Sequence, residues 1–453
     1  MPFYPKLKAL SVLTAALIAP VFPCLGADLD LSQEFATYQE NSFFSIPGIN
    51  KLLDDNYALV QKNGYAELRI PKKYHTMSID MLPPGNRIAV DNILKSGYNV
   101  YLVGGQVRDY LMGSSPNDFD LVTTAPIRDL DKILGDDAYL EIFEFHNHLY
   151  AHADILGEEI SLANLHNIPA QLHGIKGIPD FNPAENFTTS LLNNTYVRDF
   201  TYNSLFMDLR TMDIIDYHGG IRDIRDGILR PIGPAELVMT PSKIIRAFRF
   251  KARFKHKFSP DLEAYMRNLD KNSTIKSSDV ADQLPRIFID GFASEGLKVL
   301  LDYEMLDNFI RPLRPYIKDS DVLSYLENVT NCLDHNYIAG RKASDELLLG
   351  SLLSPALEAQ AEKLGVDKAI SKVLDDEADY YDYEVYKYRD GKFRPNVESL
   401  LRLSHKLILG TFTDEDLKSE FINEAMVILQ GWAKSSTDAG QSLEKVQKAL
   451  KNK

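Results

Sequence analysis

Val100-Tyr101-Leu102-Val103-Gly104-Gly105-Gln106-Val107-Arg108-Asp109-Tyr110-Leu111-Met112-Gly113 runs on through Ser114-Ser115-Pro116-Asn117 into Asp118-Phe119-Asp120-Leu121-Val122-Thr123-Thr124. The apolar run Val100 to Val103 reads as a buried strand. It ends at Gly104-Gly105, where the backbone must turn tightly or approach something closely. Val107 to Met112 reads as a short helix closed by Gly113. The polar turn at 114–117 leads into a second strand, in which Asp118 and Asp120 point to one side and Phe119 and Leu121, with Val103, face the core. Two carboxylates side by side repel each other, and a pair of Mg²⁺ ions would relieve that repulsion. A strand, a Gly-Gly loop opening a helix and a carboxylate pair together suit a phosphate held between backbone amides and metal.

Outward from this stretch, Pro83-Pro84-Gly85 breaks the chain. Asn86 to Ser96 then reads as an amphipathic helix ending at Gly97, and Ile127 to Leu134 as another, with Gly135 behind it. His148 to Asp154 and Glu159 to Leu165 read as a hairpin turning at Leu156-Gly157-Glu158. His146, His148 and His152 would share one strand face. Two readings of that face stay open: a metal site, since imidazole is a common ligand, or polar residues flanking a phosphate cleft. Thr240-Pro241-Ser242 opens a helix with Thr240 as N-cap and Pro241 in the first turn. Lys243, Arg246, Arg249 and Arg253 recur along it at three- and four-residue steps and form one broad basic face. Beyond Ser259 the pattern is helical throughout.

The 453 residues, 45% hydrophobic and 25% charged, describe a globular chain with room for two or three domains. A net charge of −14 opposes binding along a nucleic acid backbone, so any such contact must come from a local basic patch. Two cysteines far apart, Cys24 and Cys332, give neither a metal pattern nor a disulfide framework. Lys6 and Lys8 before the apolar run Ala9 to Leu25, with Gly26-Ala27 after it, read as a secretory signal peptide. No later stretch is long and apolar enough to span a membrane as a helix. Tyr386-Lys387-Tyr388-Arg389 and Lys392-Phe393-Arg394 interleave aromatic and basic residues. They read either as a surface that stacks bases and contacts phosphates through Lys387, Arg389, Lys392 and Arg394, or as a solvated loop.

The opening stretch, Leu102-Val103-Gly104-Gly105-x-Val107-Arg108-Asp109-x-Leu111-x-Gly113 followed by Asp118-x-Asp120, resembles the signature of the class II tRNA nucleotidyltransferase and bacterial poly(A) polymerase family. Pro116-Asn117-Asp118-Phe119-Asp120 leans towards the poly(A) polymerase branch. Arg198-Asp199-Phe200-Thr201 with Asn203 resembles the family's Arg-Arg-Asp-Phe-Thr-x-Asn-Ala stretch, Val197 standing where the first arginine belongs. Asp216-Tyr217-His218-Gly219-Gly220-Ile221-Arg222-Asp223 resembles its Asp-x-x-Gly-Gly-x-x-Asp motif, which the resemblance casts as a flexible joint between head and neck. Arg246, Arg249 and Phe250 keep part of its Glu-Asp-x-x-Arg-x-x-Arg-x-x-Arg-Phe pattern, but Met239, Thr240 and Lys243 replace the first three polar positions. The hairpin departs too: His146-Asn147 stand where the family has an arginine pair, and Ser161 where it has a glutamate.

The resemblance implies an α/β nucleotidyltransferase head with a mixed sheet, followed by an all-α neck, body and tail. The boundaries it suggests are a signal peptide at 1–26, an extension at 27–85, the head at 86–236, a neck with the base-reading helix at 237–290, and an RNA-binding body and tail at 291–453. It implies a template-independent RNA nucleotidyltransferase, polynucleotide adenylyltransferase-like, in which an RNA 3′-hydroxyl attacks the α-phosphate of ATP. Asp118 and Asp120 would carry two Mg²⁺. Gly104, Gly105 and Arg108 would hold the triphosphate, Asp199 and Asn203 the ribose side, and Thr240, Lys243, Arg246 and Arg249 the base side. The departures leave two alternatives: a homologue that binds RNA without catalysis, or an exported transferase acting on something other than RNA. The signal peptide points to export, whereas the family resemblance points to the cytoplasm.

Overall fold

Strands β1 (Leu68–Ile70), β2 (Val100–Val103), β3 (Asp120–Thr123), β4 (Ala138–Phe145), β5 (His148–Ile155), β6 (Glu158–Asn164), β7 (Phe206–Asp208) and β8 (Ile214–Asp216) make one sheet in the order β1-β8-β7-β2-β3-β6-β5-β4. The computed structural model describes residues 43–114, 119–135, 138–145, 148–269, 283–378 and 392–451. These fall into two units, Asp30–Asp270 and Lys271–Lys453. The sheet belongs to the first.

All pairings in the sheet are antiparallel except β3 with β6, which sets Asp120 beside Ser161 and Val122 beside Ala163. Because side chains alternate, the register sorts them into two faces. One face carries Leu102, Leu121, Leu162, Ala151 and Ala153, all buried. The helix Pro84–Lys95 packs on it against β5 and β6, and the helix Leu130–Leu134 against β4. The other face is apolar over β2, β7 and β8, where Tyr101, Val103, Val122, Phe206 and Ile215 form a core cluster with Leu191. Full burial of each such aliphatic side chain contributes about 1.5–3 kcal/mol. Over β6, β5 and β4 the same face turns polar and aromatic, with Asp120, Ser161, His152, Tyr150 and Phe143 in register.

The expected helices and hairpin are present with shifted ends. The helix after the glycines is Gly105–Leu111, and the hairpin turns at Leu156 and Gly157, both with positive φ. Residues 127–134 form a 3₁₀ turn, Ile127–Asp129, and then a single α-turn, Leu130–Leu134. The second strand begins at Asp120, and partly exposed Phe119 precedes it. Asp118 lies outside the described residues, as do residues 1–42 with the expected signal peptide. The neck helix Pro241–Phe254 is in the same unit as the sheet.

The second unit is helical throughout its described residues, with Ser320–Ile338, Asp345–Leu364, Phe393–Ile408 and Ile422–Ala433 among its helices. Asp345–Leu364 carries leucines on every side and is buried nearly all round. Pro355 inside it has no N–H to donate to the Ser351 carbonyl four residues back. The Tyr325 hydroxyl donates to that carbonyl at 2.9 Å instead, and its ring stacks on Trp432 at 4.3 Å between centroids. Among the described residues no helix is long and apolar enough to cross a membrane. Of the four residues expected to touch RNA here, Lys387 and Arg389 lie outside the described residues. Arg394 is engaged within the unit, with Asp375 at 2.6 Å and Glu398 at 3.4 Å, so it is not the free cation the sequence suggested.

Candidate active site

Gly104 sits at φ 70°, ψ −120°, a conformation open to glycine and costly for a side chain. Its N–H donates to Leu205 O at 3.0 Å, and helix Gly105–Leu111 starts at once. The Gly-Gly turn therefore opens beside Asp120, where β3 begins antiparallel to β2. Asp120 is exposed, and its side chain makes no hydrogen bond or ion pair among the described residues.

Behind the turn lies a chain of polar contacts. Arg108 is only 5% exposed, and its Nη2 lies 3.3 Å from where a Cβ on Gly105 would stand. Its Nη1 donates to Asn203 Oδ1 at 2.5 Å and its Nε to Asp109 Oδ1 at 2.8 Å. Its guanidinium lies 5.1 Å from the Phe250 ring centre and 5.2 Å from that of Phe254. Asn203 donates to Asp199 Oδ1 at 2.7 Å, within a 3₁₀ turn, Thr201–Asn203. Asp199 also accepts from Phe200 N at 2.9 Å and from Arg246 Nε at 2.6 Å. Burial alone would raise the Asp199 pKa, but Arg246 and the Asn203 amide outweigh it and hold the carboxyl below the usual range. The neck helix is thus anchored to the helix after Gly-Gly through four side chains.

This corrects the picture of a broad free basic face. Arg246 is spent on Asp199, Arg249 is 8% exposed, and Arg253 lies 3.9 Å from Asp109. Lys243 Nζ donates to Arg198 O at 3.1 Å; burial pushes its pKa down, against the pull of Asp199. Thr240 caps the helix as expected, accepting from Lys243 N at 3.5 Å. Nor is the second Gly-Gly motif a flexible joint. Asp216 accepts the N–H groups of His218, Gly219, Gly220 and Ile221 at 2.9–3.0 Å, and burial raises its pKa even so. Asp223 accepts from Thr201 Oγ1 at 2.7 Å and from Arg230 Nε at 3.1 Å, and burial pushes it up to about 6. From the amino-terminal extension, Tyr57 lies under Arg222 at 4.0 Å, and Asp54 bonds Arg222 and Arg225. Buried carboxylates that saturate their neighbouring amides fix a turn rather than free it.

On the other side of Asp120 lies a cavity of about 410 Å³ over β3, β6 and β5. Asp120, Ser161 and His152 line it in one row across the three strands. Ser161 puts a neutral hydroxyl at the position where the resemblance expected a carboxylate. Arg198 closes the far wall, its Nη2 donating to Asn194 Oδ1 at 3.4 Å and its buried Nε without a hydrogen-bond partner among the described residues. Burial lowers its pKa, while Asp120 and Asp199 favour its charge. The sequence reading quoted Arg198 in the same Arg-Asp-Phe-Thr run but assigned the ribose side to Asp199 and Asn203 alone. His152 pairs with Glu159 at 3.0 Å, and His146 lies outside the described residues. Among the described residues, which do not include His146, no three His, Cys, Asp or Glu side chains gather into a metal site.

Residues 100–230 match the poly A polymerase head domain family. Poly(A) polymerase I of Escherichia coli O6:H1 is 24% identical over 313 residues, 67% of this chain and 66% of that protein, just under two thirds of its length. The A-adding tRNA nucleotidyltransferase of Aquifex aeolicus is 31% identical over 172 residues, 37% of this chain and 20% of that one. Among solved structures, the Thermotoga maritima CCA-adding enzyme complexed with tRNA superposes with a TM-score of 0.55 at 16% identity, over 82% of this chain and 84% of that one. That likeness is one of fold: an α/β head with a mixed sheet, then a helical remainder.

Proposed function

This chain belongs to the class II tRNA nucleotidyltransferase and poly(A) polymerase family, and from that premise we propose that it is a template-independent RNA nucleotidyltransferase. The observation that carries the reading is Asp120: an exposed carboxylate without a hydrogen-bond or ion-pair partner among the described residues, between a Gly-Gly turn and a cavity. In the proposed reaction the 3′-hydroxyl oxygen of RNA attacks the α-phosphorus of a nucleoside triphosphate. A phosphodiester bond forms, the bond to the β-phosphate oxygen breaks, pyrophosphate leaves with the electron pair, and the hydroxyl proton passes to solvent. ATP is the favoured donor, since the relatives named above are a poly(A) polymerase and an A-adding enzyme.

The Gly104 and Gly105 backbone, free of side chains, would lie along the triphosphate. Arg108, Asn203 and Asp199 act here as a brace: they hold the turn against the neck helix, so that Asp120 and the turn keep a fixed separation. A carboxylate free of protein partners suits a hard cation, and Asp120 together with Asp118 would hold Mg²⁺. When bound, the metal neutralises charge developing on the phosphoryl oxygens and favours ionisation of the attacking hydroxyl. The neck positions Thr240 and Lys243 offer a hydroxyl busy with capping and an ammonium bonded to Arg198 O. Neither presents the planar donor fork of arginine to a base edge.

A second reading, a homologue that binds RNA without catalysis, draws on Ser161 at the carboxylate position and on Val197. The discriminating assay incubates the protein with labelled ATP, Mg²⁺ and RNA ending in a 3′-hydroxyl or a 3′-deoxy sugar. Extension of the hydroxyl-ended RNA alone, with release of pyrophosphate, supports the transferase. Label on protein points to a non-RNA target. Label on neither, with RNA still bound, supports the non-catalytic reading.

A further inference from the structure

The two sides of Asp120 differ in kind. The Gly-Gly turn is backbone and suits a triphosphate. The cavity on the β6 side is aromatic, and nothing in the nucleotide scheme above uses it. Its floor continues outward as a run of rings. Tyr150 stacks on Phe143 with centroids 5.6 Å apart and planes 16° from parallel. His152 meets Phe143 edge-on at 4.8 Å, and His166 meets Tyr150 edge-on at 5.5 Å. Phe187 adjoins His166 at 6.1 Å. Buried rings in contact would be ordinary core. Here Phe143 and Phe187 are 39% and 41% exposed, and Tyr150, His152 and His166 line the cavity.

We propose that this aromatic run is the seat of the acceptor's 3′-terminal nucleotide: its base stacks on Phe143 and Tyr150, and its phosphodiester faces Arg198. The proposal rests on the transferase reading and adds where the second substrate sits. A transfer reaction needs two substrates on opposite sides of the metal-binding carboxylate. With the triphosphate along Gly104 and Gly105, the cavity is the place left for the nucleophile. Its volume, about 410 Å³, falls in the range of pockets that hold small-molecule-sized groups. Stacking on aromatic faces is indifferent to base identity, because every base has a π-face. That suits an acceptor whose end is renewed after each addition. The Arg198 Nε, buried without a hydrogen-bond partner among the described residues, is a donor that an anion would satisfy.

Charge sets the extent. Glu141 and Glu159 are on the strands beside Phe143 and His152, on the same face, the first exposed, the second paired with His152 but largely exposed. They repel a phosphate backbone running past the rings. The seat therefore grips the end of the strand and not a long run of it, and the salt dependence of this contact is shallow.

The test uses the full-length protein and a fluorescently labelled single-stranded RNA, without nucleotide, followed by anisotropy. Three RNAs are compared: intact, abasic at the 3′-terminal position, and abasic several positions upstream. Loss of the terminal base should weaken binding about fivefold or more, as one stacked base is lost, and loss of the upstream base by less than about twofold. Phe143→Ala, at an exposed position, should bind intact and terminally abasic RNA alike, and Phe143→Trp should restore the difference. Equal binding of intact and terminally abasic RNA by the wild type, an undiminished difference in Phe143→Ala, or no RNA binding at all would overturn the proposal. Extension of the intact RNA is assayed in parallel. Terminal-base discrimination without extension sinks the transferase reading and leaves the seat standing, whereas extension without discrimination sinks the seat alone.

Discussion

Asp199→Ala removes the acceptor shared by Asn203, Arg246 and the Phe200 amide. The carboxylate is 6% exposed, and its ionised form is held by Arg246 despite burial. Breaking a buried, hydrogen-bonded ion pair by deleting one partner costs about 3–5 kcal/mol. Arg246, with 30% of its side chain exposed, recovers some hydration, which argues for the lower end. The Asn203 amide recovers less: it is 5% exposed, and an unsatisfied buried donor costs about 1–3 kcal/mol. A loss of about 3–5 kcal/mol in the sheet-bearing unit is the net expectation. The assay exploits the single tryptophan, Trp432, which lies in the helical unit. Urea unfolding followed by far-ultraviolet circular dichroism sees both units, and tryptophan fluorescence sees the helical one. The variant should lower the first transition and leave the fluorescence midpoint in place. A cycle with Arg246→Met should return a coupling of about 1–3 kcal/mol. A loss below about 1 kcal/mol would refute the reasoning, because the carboxylate would then not be a brace and would be available to a ligand.

Tyr325→Phe strips the donor from Ser351 O, the carbonyl orphaned by Pro355, and should destabilise the helical unit by about 1–3 kcal/mol; here the fluorescence midpoint moves, and no shift contradicts the pairing. Acid should weaken the sheet-bearing unit. His218 and His256 are each lowered by burial to about 4, so the stability they contribute is complete above pH 6.5 and is lost as pH falls towards 4, about 3 kcal/mol apiece. Asp223, raised to about 6, works in the opposite sense: its contribution is complete below 3.8 and is lost as pH rises through 6, so between pH 6 and 4 it offsets about one histidine. Unfolding free energy measured at pH 7 and 4.5 should fall, and His218→Gln should remove most of the slope, because Asp223 offsets the histidine that remains; an unchanged slope counts against a neutral buried His218. ATP, CTP, GTP and UTP, each tested alone, should be incorporated within about tenfold of one another, and Thr240→Asp with Lys243→Arg should sharpen the preference; a wild-type preference beyond about a hundredfold would show that other residues read the base.

Local chemistry was legible in the sequence. Gly104-Gly105 after an apolar run, Thr240-Pro241 before a periodic one, and Leu156-Gly157 between alternating runs each specify a turn or cap within a few residues. The α/β head and helical remainder followed from them and from the family resemblance. What escaped depended on distant partners. Arg108 was expected on the triphosphate and Arg249 on the base side, and arginine is rarely buried. Arg108 is buried because Asn203, 95 positions away, accepts from it. Strand β4 was not read because large apolar residues occupy both of its faces, Leu140 and Ile142 on one, Tyr139 and Phe143 on the other, which blurs the period of two. Strand β1, three residues long, carries too little pattern to stand out. The second Gly-Gly motif was expected to be flexible on the strength of the family resemblance. Its rigidity comes from Asp216, Tyr57 and the packing at Gly220, where a Cβ would lie 2.7 Å from the Thr201 carbonyl carbon.

The central claim is that Asp120 serves transfer chemistry and not the fold. Single-turnover incorporation of labelled ATP into RNA, by wild type and Asp120→Asn in Mg²⁺, tests it most directly. Among the described residues the Asp120 side chain has no hydrogen-bond or ion-pair partner to lose, so the variant should unfold at the wild-type urea concentration. Its incorporation rate should fall by about a hundredfold or more, since a displaced metal costs several kcal/mol of transition-state stabilisation. A folded variant that keeps more than about a tenth of the rate would contradict the claim.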